Sequence, residues 1–166
     1  MTVNVHGTCV VLADAGARFD APRDAGVLLL GPSGAGKSDL ALRLIADGAV
    51  LVADDRTDLS VNNGVLIGAP AKALAGLLEV RNLGIIPVPH CARARIALAV
   101  DLTSDHAPAR LPETERWTPP AALELGESAC PPLIRLNPFE ISTPVKVVLA
   151  AAVLAHPTFG KDIAAI

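Results

Sequence analysis

Apolar residues run without a break from Val27 to Leu30 and again from Val50 to Ala53, on either side of a segment with a different period. Such runs fit β-strands covered on both faces, because a half-exposed strand would alternate apolar with polar positions. Between them Leu40, Ala41, Leu44 and Ile45 recur at helical spacing, which predicts a helix over 37–47 stopped by Gly48. Upstream, 3–5 and 8–12 read as strands separated by His6-Gly7, and 13–25, rich in Asp, Gly, Ala and Pro, reads as a loop. Downstream, 61–67 interrupted by Asn62-Asn63-Gly64 predicts a hairpin whose turn needs positive φ. A short helix is predicted over 70–78, strands over 85–88 and 95–102, and a proline- and charge-rich loop over 103–132. A last strand over 133–136 and a helix over 143–156, with Pro144 tolerated in its first turn, close the chain. The alternation of strands and helices predicts an α/β fold, and no internal repeat or linker divides it.

Length and composition narrow the class. With 166 residues the chain can bury one real core, so a single domain over 1–166 is expected. Hydrophobic residues make up 51% of it, yet no apolar run reaches the length of a membrane span, and Met1 to His6 holds neither a basic nor an apolar signal region. A cytoplasmic protein without membrane attachment is therefore expected. Cys9, Cys91 and Cys130 are odd in number and lack CxxC spacing, which argues against a disulfide framework and against a zinc site. The net charge of −3 is spread along the chain, so there is no basic face for nucleic acid. Aromatic residues make up only 2%, with no tyrosine, so base-stacking platforms are not expected and Ala, Leu and Val must fill the core.

The chemistry begins where the first buried strand ends. Gly31-Pro32-Ser33-Gly34-Ala35-Gly36-Lys37-Ser38 matches the phosphate-binding loop GxxxxGK[ST] in full, with a strand before it and a helix after it. Glycines let successive backbone N–H groups turn toward one anion, and the helix N-terminus adds partial positive charge. Lys37, expected to stand exposed in the loop, would reach the β- and γ-phosphates of ATP, and the Ser38 hydroxyl would ligate Mg²⁺. The second buried strand emits two acids, Asp54 and Asp55. One carboxylate there suffices to hold the metal. A second one can take the proton of an acceptor hydroxyl, or can merely start a turn. Glu79, beside Arg81, and the four histidines read on their own as ordinary surface or partly buried residues.

Taken together the segments say more. His6-Gly7, then GPSGAGKS, then LVADDR, then LEVRNLGII resembles the HPr kinase/phosphorylase family, the last run being similar to that family's E-V-R-x-L-G-I-I signature. The resemblance extends from about Val5 to His156 and covers the catalytic domain. It implies a P-loop fold with a central mixed β-sheet, similar to PEP carboxykinase. It also implies ATP-dependent phosphorylation of a serine of the phosphocarrier protein HPr, and the reverse removal of that phosphate by phosphorolysis. On the matching positions His6 corresponds to the catalytic histidine, Lys37 and Ser38 carry the phosphate and Mg²⁺ roles, and Glu79 matches a second metal-site acid. Asp54 and Asp55 match the base-plus-metal position without showing which is the base, and Ser38, Asp55 and Glu79 make up the expected metal set. Arg110 is similar to an arginine of the family's D-R-L-G segment, in different flanks.

Two features depart from the longer members. They carry an additional N-terminal domain and form hexamers, whereas this chain resembles a short form, so homo-oligomerisation is left open. They also place two arginines in a P-V-R-P-G-R-N loop before the last helix. Here that region reads Asn137-Pro138-Phe139-Glu140-Ile141-Ser142-Thr143-Pro144, with Arg135 and Lys146 as the nearby cations. Kinase activity is therefore expected to exceed phosphorolysis. Two other readings of the loop are a small-molecule kinase and a non-catalytic ATP-sensing module, and the acid pair speaks against the second.

Overall fold

The computed structural model describes residues 1–103, 110 and 113–155. Its organising element is β1 (Thr2–Val11), one continuous ten-residue strand. His6-Gly7, expected to break it, does not. Gly7 is there for close approach: a Cβ on it would stand 3.1 Å from the Leu29 carbonyl oxygen and 3.2 Å from Leu28 Cδ1. At this point β1 changes partners. From Gly7 onward it pairs antiparallel with β2 (Ala25–Leu30), Gly7 opposite Leu30. Up to His6 it pairs with β4 (Arg56–Asn62), His6 opposite Arg56. Its second half also pairs with β3 (Val50–Ala53), which lies where the apolar run predicts it.

Strands β4 and β5 (Val65–Pro70) form the predicted hairpin, with Asn63 and Gly64 at positive φ. Strand β5 meets the start of β8 (Ala94–Asp101), and β8 returns to β2 in parallel, so β2, β1, β4, β5 and β8 close a ring. On its other edge β8 carries β10 (Pro132–Arg135) in parallel, which pairs in turn with the short β9 (Glu115–Arg116). The sheet is thus mixed, as expected. A separate hairpin, β6 (Leu77–Val80) with β7 (Gly84–Pro87), stands apart.

Alternation along the strands sorts two cores. Val10, Val27, Leu29, Leu98 and Val100 face the helices α1 (Lys37–Ala46) and α2 (Thr143–Leu154). Cys9, Leu28, Val52, Leu59, Leu66 and Ile96 fill the other side. Helix α1 buries Leu40, Ala41 and Leu44, and α2 buries Val147, Val148 and Ala151. Each fully buried leucine contributes roughly 1.5–3 kcal/mol by leaving water. No helix among the described residues is long and apolar enough to cross a membrane.

The predicted helix over 70–78 is absent. One 3-10 turn (Lys72–Leu74) is followed at once by β6. The cause is tertiary: Gly76 has φ +75, and the His90 ring packs within 2.5 Å of where its Cβ would be. Glu79 therefore lies inside a hairpin rather than at the end of an apolar segment. The expected loops hold more structure than predicted. Ala13–Phe19 is a 3-10 helix, and 3-10 turns at Ala121–Leu123 and Glu127–Ala129 occupy the region of 103–132, where Leu123 is buried. Residues 104–109 and 111–112 of that region, and His156 at the end of the predicted closing helix, lie outside the described residues.

Candidate active site

The glycine-rich loop joins β2 to α1. Gly36 caps the helix at φ +93, a left-handed conformation that side chains resist, and the first intrahelical bond runs from Leu40 N–H to its carbonyl. Lys37 is not exposed, as expected from the sequence, but buried. Its ammonium donates to the carbonyls of Gly31 at 2.9 Å and Pro32 at 3.0 Å. Two of its three N–H donors are thereby used, and the third is left for an anion. Burial pushes the Lys37 pKa below the usual lysine range, against the pull of the Asp55 and Asp54 charges.

That shift has a consequence for binding. The ammonium is the form that holds phosphate, and desolvation favours the neutral amine. Affinity for a nucleotide should be full at neutral pH and should fall as the pH climbs through the lowered value, earlier than for an ordinary lysine. Calorimetric titration of ATP across the alkaline range checks this, and affinity unchanged up to the ordinary lysine range would contradict it.

The two acids at the end of β3 live in different surroundings. Asp54 is nearly buried and its carboxylate accepts three hydrogen bonds. Oδ1 receives the Ser38 hydroxyl at 2.6 Å and the Thr8 hydroxyl at 3.0 Å, and Oδ2 receives the Glu79 backbone N–H at 3.0 Å. Asp55 turns the other way. Its backbone sits at φ +62, held by its N–H to Thr8 Oγ1 at 3.1 Å and by the Gly7 N–H to its carbonyl at 2.9 Å. Its side chain is 61% exposed and lies 2.8 Å from His6 Nε2, so with the carboxylate ionised the imidazole N–H donates.

A cleft of about 810 Å³ gathers Lys37, Ser38, Asp55, Glu79, Arg81 and Phe139 along its walls. That is within the usual size range of ligand sites. The expected metal set, Ser38, Asp55 and Glu79, lines the cleft together, and the Ser38 hydroxyl and the Glu79 backbone N–H also donate to Asp54. Arg110 is exposed and does not appear among the described residues lining the cleft.

Three participants escape the sequence reading. Thr8 is wholly buried and links both acids to β1; a lone hydroxyl within an apolar strand was its signal. Arg81 brings a guanidinium nitrogen to 3.9 Å from where a Cβ on Gly34 would stand, and it makes no hydrogen bond or ion pair among the described residues. Phe139 leans on Gly36 from the loop before α2.

The model of the family described as HPr Serine kinase C-terminal domain matches residues 2–104, which include every part of this site except Phe139 and Arg110. The chain belongs to that family. Among the relatives of this chain, the HPr kinase/phosphorylase of Clostridium tetani is 53% identical over 64 residues, 39% of this chain and 21% of that protein. The HPr kinase/phosphorylase of Streptococcus thermophilus is likewise 53% identical over 64 residues, 38% of this chain and 21% of its own length. The match thus spans about a fifth of these relatives. The HPr(Ser) kinase/phosphatase from Coxiella burnetii superposes with a TM-score of 0.66 over 89% of this chain and 93% of that one, at 23% identity, and shares its fold.

Proposed function

We propose that this chain transfers the γ-phosphoryl group of ATP to a seryl hydroxyl of HPr, with Asp55 as general base and with Asp54 and Ser38 holding Mg²⁺. The observation that carries this reading is the contrast between the two adjacent acids. Asp54 is buried, fixed by three donors and in contact with Ser38. Asp55 is exposed to the cleft, oriented by His6, and free to accept one more proton. A base has to meet its substrate, whereas a metal carboxylate has to stay in place.

The donor set suits Mg²⁺. This cation takes one or two carboxylates together with substrate phosphates and keeps several waters. A hydroxyl, the Asp54 carboxylate and Glu79 at the rim provide hard oxygens for that, and no group of three or more His, Cys, Asp or Glu forms a cage among the described residues. When bound, the ion would neutralise charge on the phosphoryl group in transfer. Lys37 would hold the phosphates, and Arg81, which lines the cleft and has no partner among the described residues, would add positive charge. The acceptor oxygen attacks phosphorus as its proton passes to Asp55, and ADP leaves.

The forward direction is favoured by where the other cations are engaged. Arg135 is paired with Glu115 at 2.7 Å and with Asp101 at 3.7 Å, and Lys146 is paired with Glu140. Phosphorolysis must bring inorganic phosphate against phosphoserine, and two anions at contact need clustered cations. The test is a pair of incubations. HPr with Mg²⁺ and ATP should gain one phosphate on serine, read by mass. Serine-phosphorylated HPr with Mg²⁺ and phosphate should release pyrophosphate more slowly. No transfer to HPr despite ATP binding would refute the acceptor. Pyrophosphate release at or above the kinase rate would refute the direction.

A further inference from the structure

The ladder beside β1 is broken at the acids. Cys9 stands opposite Ala53 and His6 opposite Arg56, so β3 and β4 keep one register against β1, with Asp54-Asp55 between them. In that register Gly7 faces Asp55. An antiparallel pair of this kind ordinarily exchanges two backbone bonds. Here one is made, from the Gly7 N–H to the Asp55 carbonyl at 2.9 Å. Instead of returning to Gly7, the Asp55 N–H donates to Thr8 Oγ1 at 3.1 Å, and the Gly7 carbonyl accepts the Thr57 hydroxyl at 2.9 Å. Two hydroxyls thus take the place of the second bond, and both threonines are wholly buried.

The substitution lets the chain turn. Asp55 has φ +62, and the Arg56 N–H donates to the Asp54 carbonyl at 2.7 Å, two residues back. A three-residue turn with positive central φ is rare and strained. It persists only where its surroundings over-determine it. Asp55 is gripped at its carbonyl by the Gly7 backbone and at its N–H by Thr8. Of these two grips, only the one from Thr8 is made by a side chain, and it also reaches the other acid. A hydroxyl accepts twice and donates once. With its acceptor side on Asp55, Thr8 gives its proton to Asp54 Oδ1 at 3.0 Å. One oxygen atom therefore touches both acids.

We infer that Thr8 is a positioning residue for phosphoryl transfer: its hydroxyl holds the strained turn at Asp55 and the carboxylate of Asp54 from a single point. This rests on the reading of Asp55 as base and Asp54 as metal acid. Thr8, without exposed surface, meets no substrate itself. It keeps the outward acid facing the cleft and the inward acid against Ser38.

The experiment separates the hydroxyl from the bulk. Thr8→Val and Thr8→Ala remove the hydroxyl with and without most of the volume, and Thr8→Ser keeps it. In the free protein, hydrogen exchange of the Asp55 amide, followed by NMR, should quicken by about tenfold or more in the first two and stay near wild type in the third. Mg²⁺-ATP should bind all three about as tightly as the wild type, because Asp54 keeps two of its three donors. Transfer to HPr at saturating Mg²⁺-ATP should be slower by about 10² in Thr8→Val and Thr8→Ala, the cost of a misplaced catalytic group, and should recover in Thr8→Ser. Added to Asp55→Asn, Thr8→Val should cost little more, since the group it positions is already gone. An Asp55 amide as protected in Thr8→Val and Thr8→Ala as in the wild type would overturn the inference. So would transfer at the wild-type rate in those variants, or a loss of the same factor on the Asp55→Asn background, which marks damage to the fold at large. Failure of the underlying reading looks different: Asp55→Asn alone would transfer at the wild-type rate, or the wild type would not phosphorylate HPr, and the inference would fall with it.

Discussion

Asp55→Asn is expected to bind ATP as the wild type does and to transfer phosphate slower by a factor on the order of 10²–10⁴. The substitution is mild for the fold. Asp55 sits at φ +62, and asparagine tolerates this left-handed region as aspartate does. Both backbone bonds to β1, to Thr8 Oγ1 and from Gly7 N–H, survive it. The side chain is exposed, so no buried group loses a partner. Only the proton acceptor facing the cleft is lost.

Asp54→Asn should behave differently. Its carboxylate accepts from Ser38, Thr8 and the Glu79 N–H, and an amide in its place would turn one donor against donors. A buried donor left without acceptor costs about 1–3 kcal/mol. This variant should therefore be less stable and should lose Mg²⁺-dependent nucleotide affinity. Thermal unfolding, ATP titration with and without Mg²⁺, and single-turnover transfer separate the two profiles. The division of labour fails if both variants show the same profile. The base assignment fails if Asp55→Asn keeps more than about a tenth of the wild-type rate.

How much of this could be read from the chain depended on how local the cause was. The strand, loop and helix from Ala25 to Ala46 were legible because their determinants are contiguous: an apolar run, glycines with a lysine and a hydroxyl, then a 3.6 period. The hairpin at Asn63-Gly64 was legible for the same reason. Gly7 and Gly76 misled because each answers to a distant neighbour. One admits β2 alongside β1, and the other admits the His90 ring. Seen only in sequence, Gly7 looks like a break between two strands, and Gly76 disappears inside a predicted helix. The acid pair was visible as a pair, but the different surroundings of its two members were not. These diverge through Thr8, a residue 46 positions away, and through a left-handed turn that no periodicity announces. Arg81 looked like a partner for Glu79. In the fold, β6 and β7 carry it to the rim of the loop instead.

Lys37→Ala should abolish measurable transfer, and the buried position of the side chain decides how the loss must be tested. An ammonium aimed at developing phosphoryl charge is worth at least the 10²–10³ that a single preorganised donor contributes. Lys37 also ties together the carbonyls of Gly31 and Pro32, so removing it frees both ends of the loop's first turn. Each lost bond costs about 0.5–1.5 kcal/mol, and truncation also empties the space of a buried stem. Loss of activity in the alanine variant alone could then reflect a collapsed loop. Lys37→Met keeps a comparable apolar stem and removes only the charge and its donors. It should unfold within a few degrees of the wild type, bind tripolyphosphate at least tenfold more weakly, and transfer phosphate slower by 10² or more. A methionine variant that folds normally and retains transfer within tenfold of the wild type would show that the lysine does not hold the phosphoryl group, whatever the alanine variant does.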